Sequence, residues 1–256
     1  MKADHDLVSI ADESFIASFR KLAQHVAQGE THEEGSIFSF STGLPLSGFN
    51  GCVVTRKAPA AELAACVGWV AAHDVPFRVW VAQKLAAGLA EVPVSYGLEP
   101  AASLYPGMVL HPIPDAPTLA AGVDVVPIFE PILDEFIGVL EESGLRGELA
   151  RRLISQSLAS DPDVRLFVGR LDERPVGTSI AIRNGDASGV YNVGTLPEAR
   201  RRGVGSAVTW AAVEAGQAWG CDTVVLQCSV MGLSMYADMG FRTVAPYMTF
   251  APSSVS

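Results

Sequence analysis

The chain has 256 residues, 49% of them hydrophobic and 18% charged, with a formal net charge of −10. This composition excludes a disordered chain and gives room for one large or two ordinary domains, while the acidic balance argues against nucleic acid, whose phosphates demand a cationic face. No apolar run is long enough to cross a bilayer and MKADHDLVSIADESF has no signal-peptide core, so a cytoplasmic protein with no membrane partner is expected.

In chain order, Ser9 to Ala27 contains an amphipathic helix, and Ser36 to Phe40 and Cys52 to Thr55 read as strands around a turn-rich segment from Ser41 to Gly51. Pro59 to Ala72 is helical, Phe77 to Val81 a strand, Lys84 to Glu91 a short helix and Met108 to Ile113 another strand. Pro112, Pro114 and Pro117 then mark a boundary between residues 1–117 and 118–256. The second half starts with a strand at Val123 to Ile128, followed by helices at Glu130 to Glu142 and Gly147 to Ala159. Strands follow at Arg165 to Gly169, Val176 to Arg183 and Val190 to Thr195. The chain closes with a helix to Trp219, a strand at Thr223 to Gln227, a helix at Met231 to Met239 and a strand at Phe241 to Phe250. Alternating helices and strands in both halves predict an α/β or α+β fold with a central sheet in each.

One segment stands apart, VYNVGTLPEARRRGVGSAVTWAAVEAGQAWG from Val190 to Gly220. A strand feeds a glycine-rich turn and then a helix whose apolar positions Val204, Val208, Ala211, Ala215 and Trp219 keep helical spacing. The first N–H groups of a helix have no internal partner and lie at the positive end of its dipole, so such a turn suits a phosphate. Gly203 and Gly205 clear the approach, and Arg200, Arg201 and Arg202 add charge-assisted donors. The dinucleotide fingerprint fits poorly, because Val208 stands where its third glycine or alanine belongs, and no Gly-Lys-Ser/Thr of a Walker loop occurs. The cysteines at 52, 66, 221 and 228 and the five scattered histidines show no metal-ligand spacing, so no metal is expected.

Arg200-x-x-Gly203-x-Gly205 resembles the acetyl-CoA-binding motif of the GNAT superfamily of N-acetyltransferases. A second block, Gly232 to Phe241 after the strand Thr223 to Gln227, resembles the family's tyrosine-bearing helix that closes on Gly-Phe. The likeness is specific from about Asp124 to Phe250. The first half runs through a similar order without the glycine motif, so the whole resembles tandem GNAT proteins with a degenerate N-terminal copy and a cofactor-binding C-terminal copy.

That resemblance implies acetyl-CoA as cosubstrate and direct transfer of acetyl to a primary amine of a small-molecule or peptide acceptor, by a monomer or homodimer. It implies that backbone groups at Val193, Gly194 and Thr195 hold the pantetheine arm and acetyl oxygen. The turn from Arg200 to Ser206, through Arg201, Arg202, Gly203, Val204 and Gly205, would take the pyrophosphate. Tyr236 falls where the family places the acid that protonates the leaving thiolate; a packing aromatic is the alternative. Ser229 replaces an asparagine common in the family. No acidic residue lies between Ser188 and Leu196 to serve as base, leaving Tyr191 as a relay through water and Asp186 as a nearby carboxylate, each with an ordinary packing or turn role as the alternative. A catalytically impaired acyl-CoA-binding sensor is the second reading. The loop Ser143 to Gly147 matches the family's acceptor wall, and Trp210 and Trp219 read as core.

Overall fold

The computed structural model describes residues 2–128 and 133–253. Its first half comprises α1 (Asp4–Gln24), β1 (Glu30–Glu34), β2 (Ile37–Ser41), β3 (Asn50–Val54), α2 (Ala60–Ala71) and β4 (Arg78–Ala82). The short helices α3 (Gln83–Ala86) and α4 (Glu91–Ser95) and the strands β5 (Glu99–Pro100) and β6 (Tyr105–Leu110) complete it. The second half runs β7 (Val123–Ile128), α5 (Leu133–Glu142), α6 (Gly147–Leu153), α7 (Gln156–Ala159), β8 (Val164–Leu171), β9 (Arg174–Asn184) and β10 (Ala187–Thr195). It ends α8 (Val204–Ala218), β11 (Thr223–Gln227), α9 (Leu233–Asp238) and β12 (Arg242–Ala251).

The strands join in one mixed sheet, ordered β1-β2-β3-β4-β12-β6-β11-β10-β9-β8-β7, with β5 beside β12. The halves meet by exchange. β6 of the first half pairs with β11 of the second, and β12, the last strand, pairs with both β4 and β6. Two mixed sheets flanked by helices are therefore fused edge to edge, and neither half presents an open edge at the junction. The cores follow: Met108 and Leu110 pack with Val224, Leu226 and Tyr236, while Phe15, Phe40 and Trp80 pack with Val225 and Tyr247.

Three helical expectations change. The span Gly147 to Ala159 breaks at Ile154, because Ser155 turns out of the helix and caps the next one, its hydroxyl accepting from Leu158 N at 3.1 Å. The stretch around Lys84 to Glu91 forms two short helices separated by a turn. The first helix starts earlier, at Asp4, with Leu7, Ala11, Phe15 and Leu22 buried. Of the expected helix from Glu130, residues 130–132 lie outside the described residues, and α5 carries the rest. β1 was not expected: its sequence Glu-Thr-His-Glu-Glu has no apolar alternation and it forms an exposed, charged outer strand.

Two helices fix the site. α1 crosses the junction, touching β10, β11 and β12. α8 lies against β8, β9 and β10, and its first residue is pinned where a side chain on Gly177 would meet Val204 Cγ1 at 2.5 Å. Ser179 Oγ donates to Val208 O at 2.6 Å, tying the same helix to β9.

Candidate active site

β10 and β11 run parallel only while Ala187, Ser188 and Gly189 face Thr223, Val224 and Val225. Beyond Gly189 they part. Leu226 and Gln227 continue against Met108 and Gly107 of β6, whereas β10 stays with β9. A bulge between Tyr191 and Gly194 bends β10 further, with Asn192 at φ 49° and its carbonyl accepting from Thr178 Oγ1 at 3.0 Å. The bulge takes Asn192 and Val193 out of the ladder, so this half-buried end of the strand lines a cleft with main chain that β9 does not pair. The cleft is a cavity of about 1130 Å³.

At one side of this cavity stands the start of α8. The chain leaves β10 through a single 3₁₀ turn, Pro197–Ala199, and reaches the helix through Arg201 at φ 58° and Gly203 at φ 86°. Only glycine adopts the second angle without strain, and a Cβ there would also press on Ala120 Cβ at 2.9 Å. The turn is fixed before any ligand arrives, and the helix's unpaired first N–H groups sit beside Arg200 and Arg201 at the lining. Gly205 and Ser206 line it too, as do Val193, Gly194, Thr195 and Ser229. Arg202 does not; its guanidinium turns toward Asp172 at 3.9 Å. Val204 is likewise absent from the lining, its side chain buried against the sheet.

Tyr236 reaches the cavity from α9, its ring edge-on to Phe241 with centroids 5.8 Å apart. Burial pushes its phenol well above the ordinary value, which keeps it protonated and a proton donor at neutral pH. Cys228, nearby in the lining, is pushed up to about 11 by burial. A thiol so held is a poor nucleophile. Tyr191 also lines the cavity; its hydroxyl is shut off from solvent and has no hydrogen-bond partner among the described residues, though Ser18 and Gln227 lie beside it. Burial raises it as well. Asp186 stands elsewhere, exposed at the β9–β10 turn where β10 and β11 are still paired.

The first half supplies a wall that its sequence did not advertise. Ser18, Phe19 and Leu22 of α1, the turn Gly48–Phe49 and Tyr105 of β6 all line the cavity. A hub holds Phe49: the fully buried Asn50 accepts from Thr42 N at 2.8 Å and donates to Leu44 O at 2.9 Å, Leu46 O at 3.1 Å and Pro76 O at 2.9 Å. Ser143, in the loop expected to form the acceptor wall, is also part of the lining. Trp210 is buried in the core and Trp219 stacks with Arg165, its ring centroid 5.6 Å from the guanidinium carbon. Among the described residues no group of three potential metal ligands is present, and no helix is long and apolar enough to cross a membrane.

Residues 139–232, from α5 through the turn after β11, match the acetyltransferase (GNAT) domain family. Over that segment the chain is similar to GNAT acetyltransferase domains. Solved structures extend the likeness over both halves at the level of fold. A GCN5-related N-acetyltransferase from Kribbella flavida superposes with a TM-score of 0.65 at 19% identity, over 96% of this chain and 95% of that one. Another from Sphaerobacter thermophilus gives 0.60 at 18%, over 85% and 76%. A tandem GNAT protein of the clavulanic acid biosynthesis pathway gives 0.58 at 15%, over 84% and 77%. No curated protein matches the chain in sequence. The splayed strands, bulge and glycine turn all fall within the matched GNAT segment, whereas the α1 and Phe49 wall falls outside it.

Proposed function

We propose that the chain is an acetyl-CoA-dependent N-acetyltransferase that moves acetyl directly to a primary amine, without a covalent enzyme intermediate. The observation that carries this reading is one continuous cavity lined by the glycine turn before α8, by the bulged β10 and by Tyr236. A pyrophosphate would take the first N–H groups of α8 with Arg200 and Arg201, a pantetheine arm the β10 main chain from Val193 to Thr195 where β11 has parted from it, and Ser229 would stand beside it. The thioester supplies an activated acyl carbon and a thiolate leaving group.

The protein's part is to hold and protonate. Main-chain donors at the bulge would polarise the acyl oxygen, and Tyr236, protonated at neutral pH, would give its proton to the sulfur as the C–S bond breaks and the C–N bond forms. The proton lost by the amine nitrogen would return to Tyr236 through solvent, closing the balance. Tyr191, held protonated by its surroundings, would act only as a hydrogen-bonding relay. On this reading residues 118–256 are the cofactor copy and residues 1–117 the degenerate copy, which contributes the wall opposite the cofactor.

The test is release of free thiol from acetyl-CoA when primary amines are supplied. Thiol release that depends on both protein and amine supports the reading. Tight binding of acetyl-CoA with no release across a broad amine panel would instead make the protein an acyl-CoA-binding module.

A further inference from the structure

The charged residues that line the cavity, among those described, are Arg200 and Arg201, and both belong to the proposed phosphate end. The remainder has a different character. Phe19, Leu22, Phe49, Leu158, Ile180 and Ile182 line it and pack together in one hydrophobic cluster with Tyr191. Beside Tyr191, at the edge of this surface, lies the Gln227 side chain, whose Nε2 and Oε1 are both shut off from solvent and neither of which has a partner within hydrogen-bond distance among the described residues. A desolvated carboxamide that offers an unused donor and an unused acceptor is costly unless something pairs with both, and the neighbouring Tyr191 hydroxyl can serve one of the two. The group that does so with the same geometry is another amide.

The walls also select the ionisation state of what enters. An ammonium ion placed against aliphatic and aromatic surface loses its hydration and is driven to its neutral form, and only the neutral form attacks a thioester. The less basic the amine, the smaller that penalty: an α-amino group, with an ordinary pKa of about 8, is neutral a few hundred times more often at physiological pH than a lysine-like amine near 10.4. The raised phenol of Tyr191, among these same residues, shows the surroundings already disfavouring charge.

We propose that the acceptor is a small, weakly basic amine on an apolar body with a carboxamide beside the amino group, an apolar α-amino amide being its simplest form. The carboxamide pairs with Gln227, the apolar body lies against Phe19, Leu22 and Phe49, and polycations such as polyamines and aminoglycosides are poor acceptors. Gln227 is a specificity-determining residue for this acceptor. The inference rests on the acetyl-transfer reading.

Two measurements made together separate them. Acetyl-CoA binding is followed by calorimetry, and thiol release is followed with L-phenylalaninamide and L-leucinamide against spermidine and kanamycin. The expected result is acetyl-CoA binding and a kcat/KM at least tenfold higher for the two amides. In Gln227→Leu the KM for L-phenylalaninamide should rise about tenfold while acetyl-CoA affinity stays within twofold, which also shows that the variant is folded. Faster acetylation of spermidine or kanamycin, no acetylation of the amides by protein that binds acetyl-CoA, or an unchanged KM in Gln227→Leu would each overturn the acceptor assignment. Loss of acetyl-CoA binding in that variant would overturn it too, by placing Gln227 in the cofactor site. Failure of the wild-type protein to bind acetyl-CoA would instead remove the acetyl-transfer reading on which the assignment stands.

Discussion

Replacing Asn50 with alanine should loosen the Phe49 wall of the cavity without touching the turn before α8. Asn50 Oδ1 accepts from Thr42 N at 2.8 Å, from Thr42 Oγ1 at 3.2 Å and from Ser41 Oγ at 3.4 Å, while Nδ2 donates to three carbonyls. Two of those carbonyls keep a partner when the amide is removed, since Leu44 O also accepts from Leu46 N and Leu46 O from Phe49 N. Pro76 lies at an exposed position, so water can replace the amide at its carbonyl. Thr42 is 0% exposed and its N–H is left with nothing. An orphaned buried donor costs about 1–3 kcal/mol, and the lost bonds and packing raise the total to roughly 2–4 kcal/mol. For a chain of this length that lowers the melting midpoint by roughly 5–15 °C, read by calorimetry or circular dichroism. Asn50→Asp keeps the acceptor toward Thr42 but sets a carboxylate against three carbonyls, so at neutral pH it should be at least as damaging as alanine. It should recover partly in acid, where the protonated group can donate. A midpoint for Asn50→Ala within 1 °C of wild type would refute the hub.

Other outcomes follow from single groups. Tyr236→Phe should lower kcat for thiol release about 10²–10⁴-fold while acetyl-CoA affinity is kept; an unchanged kcat would leave Tyr236 a packing residue. Asp12 is buried, and that burial raises its carboxyl although Tyr247 donates to it at 2.6 Å, with Lys84 and Arg56 nearby. A raised folded value means that its contribution is complete below the ordinary 3.8 and is lost as pH climbs through the folded value. Asp12→Asn, which still accepts from Tyr247, should therefore melt higher than wild type at pH 7 to 8, with the gap closing in acid; a gap independent of pH would contradict this. Asp161 shifts the other way. Burial opposes its charge, but Asp163 N, His25 and Lys21 overcome that and hold it low, so its contribution is present above 3.8 and fades as pH falls further. Asp161→Asn should melt lower than wild type at neutral pH and converge with it below that value, as pH-dependent unfolding would report.

The strand, glycine turn and helix of the candidate site were legible because their signals are local. A strand, a proline stop, three arginines, two glycines and a helical apolar stripe occur within Val190 to Gly220, whereas the φ of 86° at Gly203 came only with the structure. The sheet order was not. β6 and β12 are both apolar strands that could sit beside several neighbours, and nothing short of the three-dimensional register says that they cross between halves. β1 escaped because charged residues on an outer strand lack the period-two pattern. The Phe19 and Phe49 wall escaped because it depends on α1 crossing more than 160 residues of sequence separation to reach β10. Asn50 and Gln227 look alike on the page, yet among the described residues one side chain makes six hydrogen bonds and the other none, a difference that only packing creates.

The most direct measurement is calorimetric titration of acetyl-CoA into wild-type protein and into Gly203→Glu and Ser206→Glu. Ser206 lies in the first turn of α8 on the cavity lining, where an acidic side chain suits the helix but would meet a bound phosphate with like charge. Loss of binding there cannot be ascribed to a broken helix. Saturating wild type at a hundredfold excess over its dissociation constant should also add about 2.7 kcal/mol of stability. The account predicts binding by wild type and at least tenfold weaker binding by both variants, with the melting of Ser206→Glu unchanged in the absence of acetyl-CoA. No binding by wild type, or wild-type affinity in Ser206→Glu, would contradict the placement of an acetyl-CoA pyrophosphate at the start of α8.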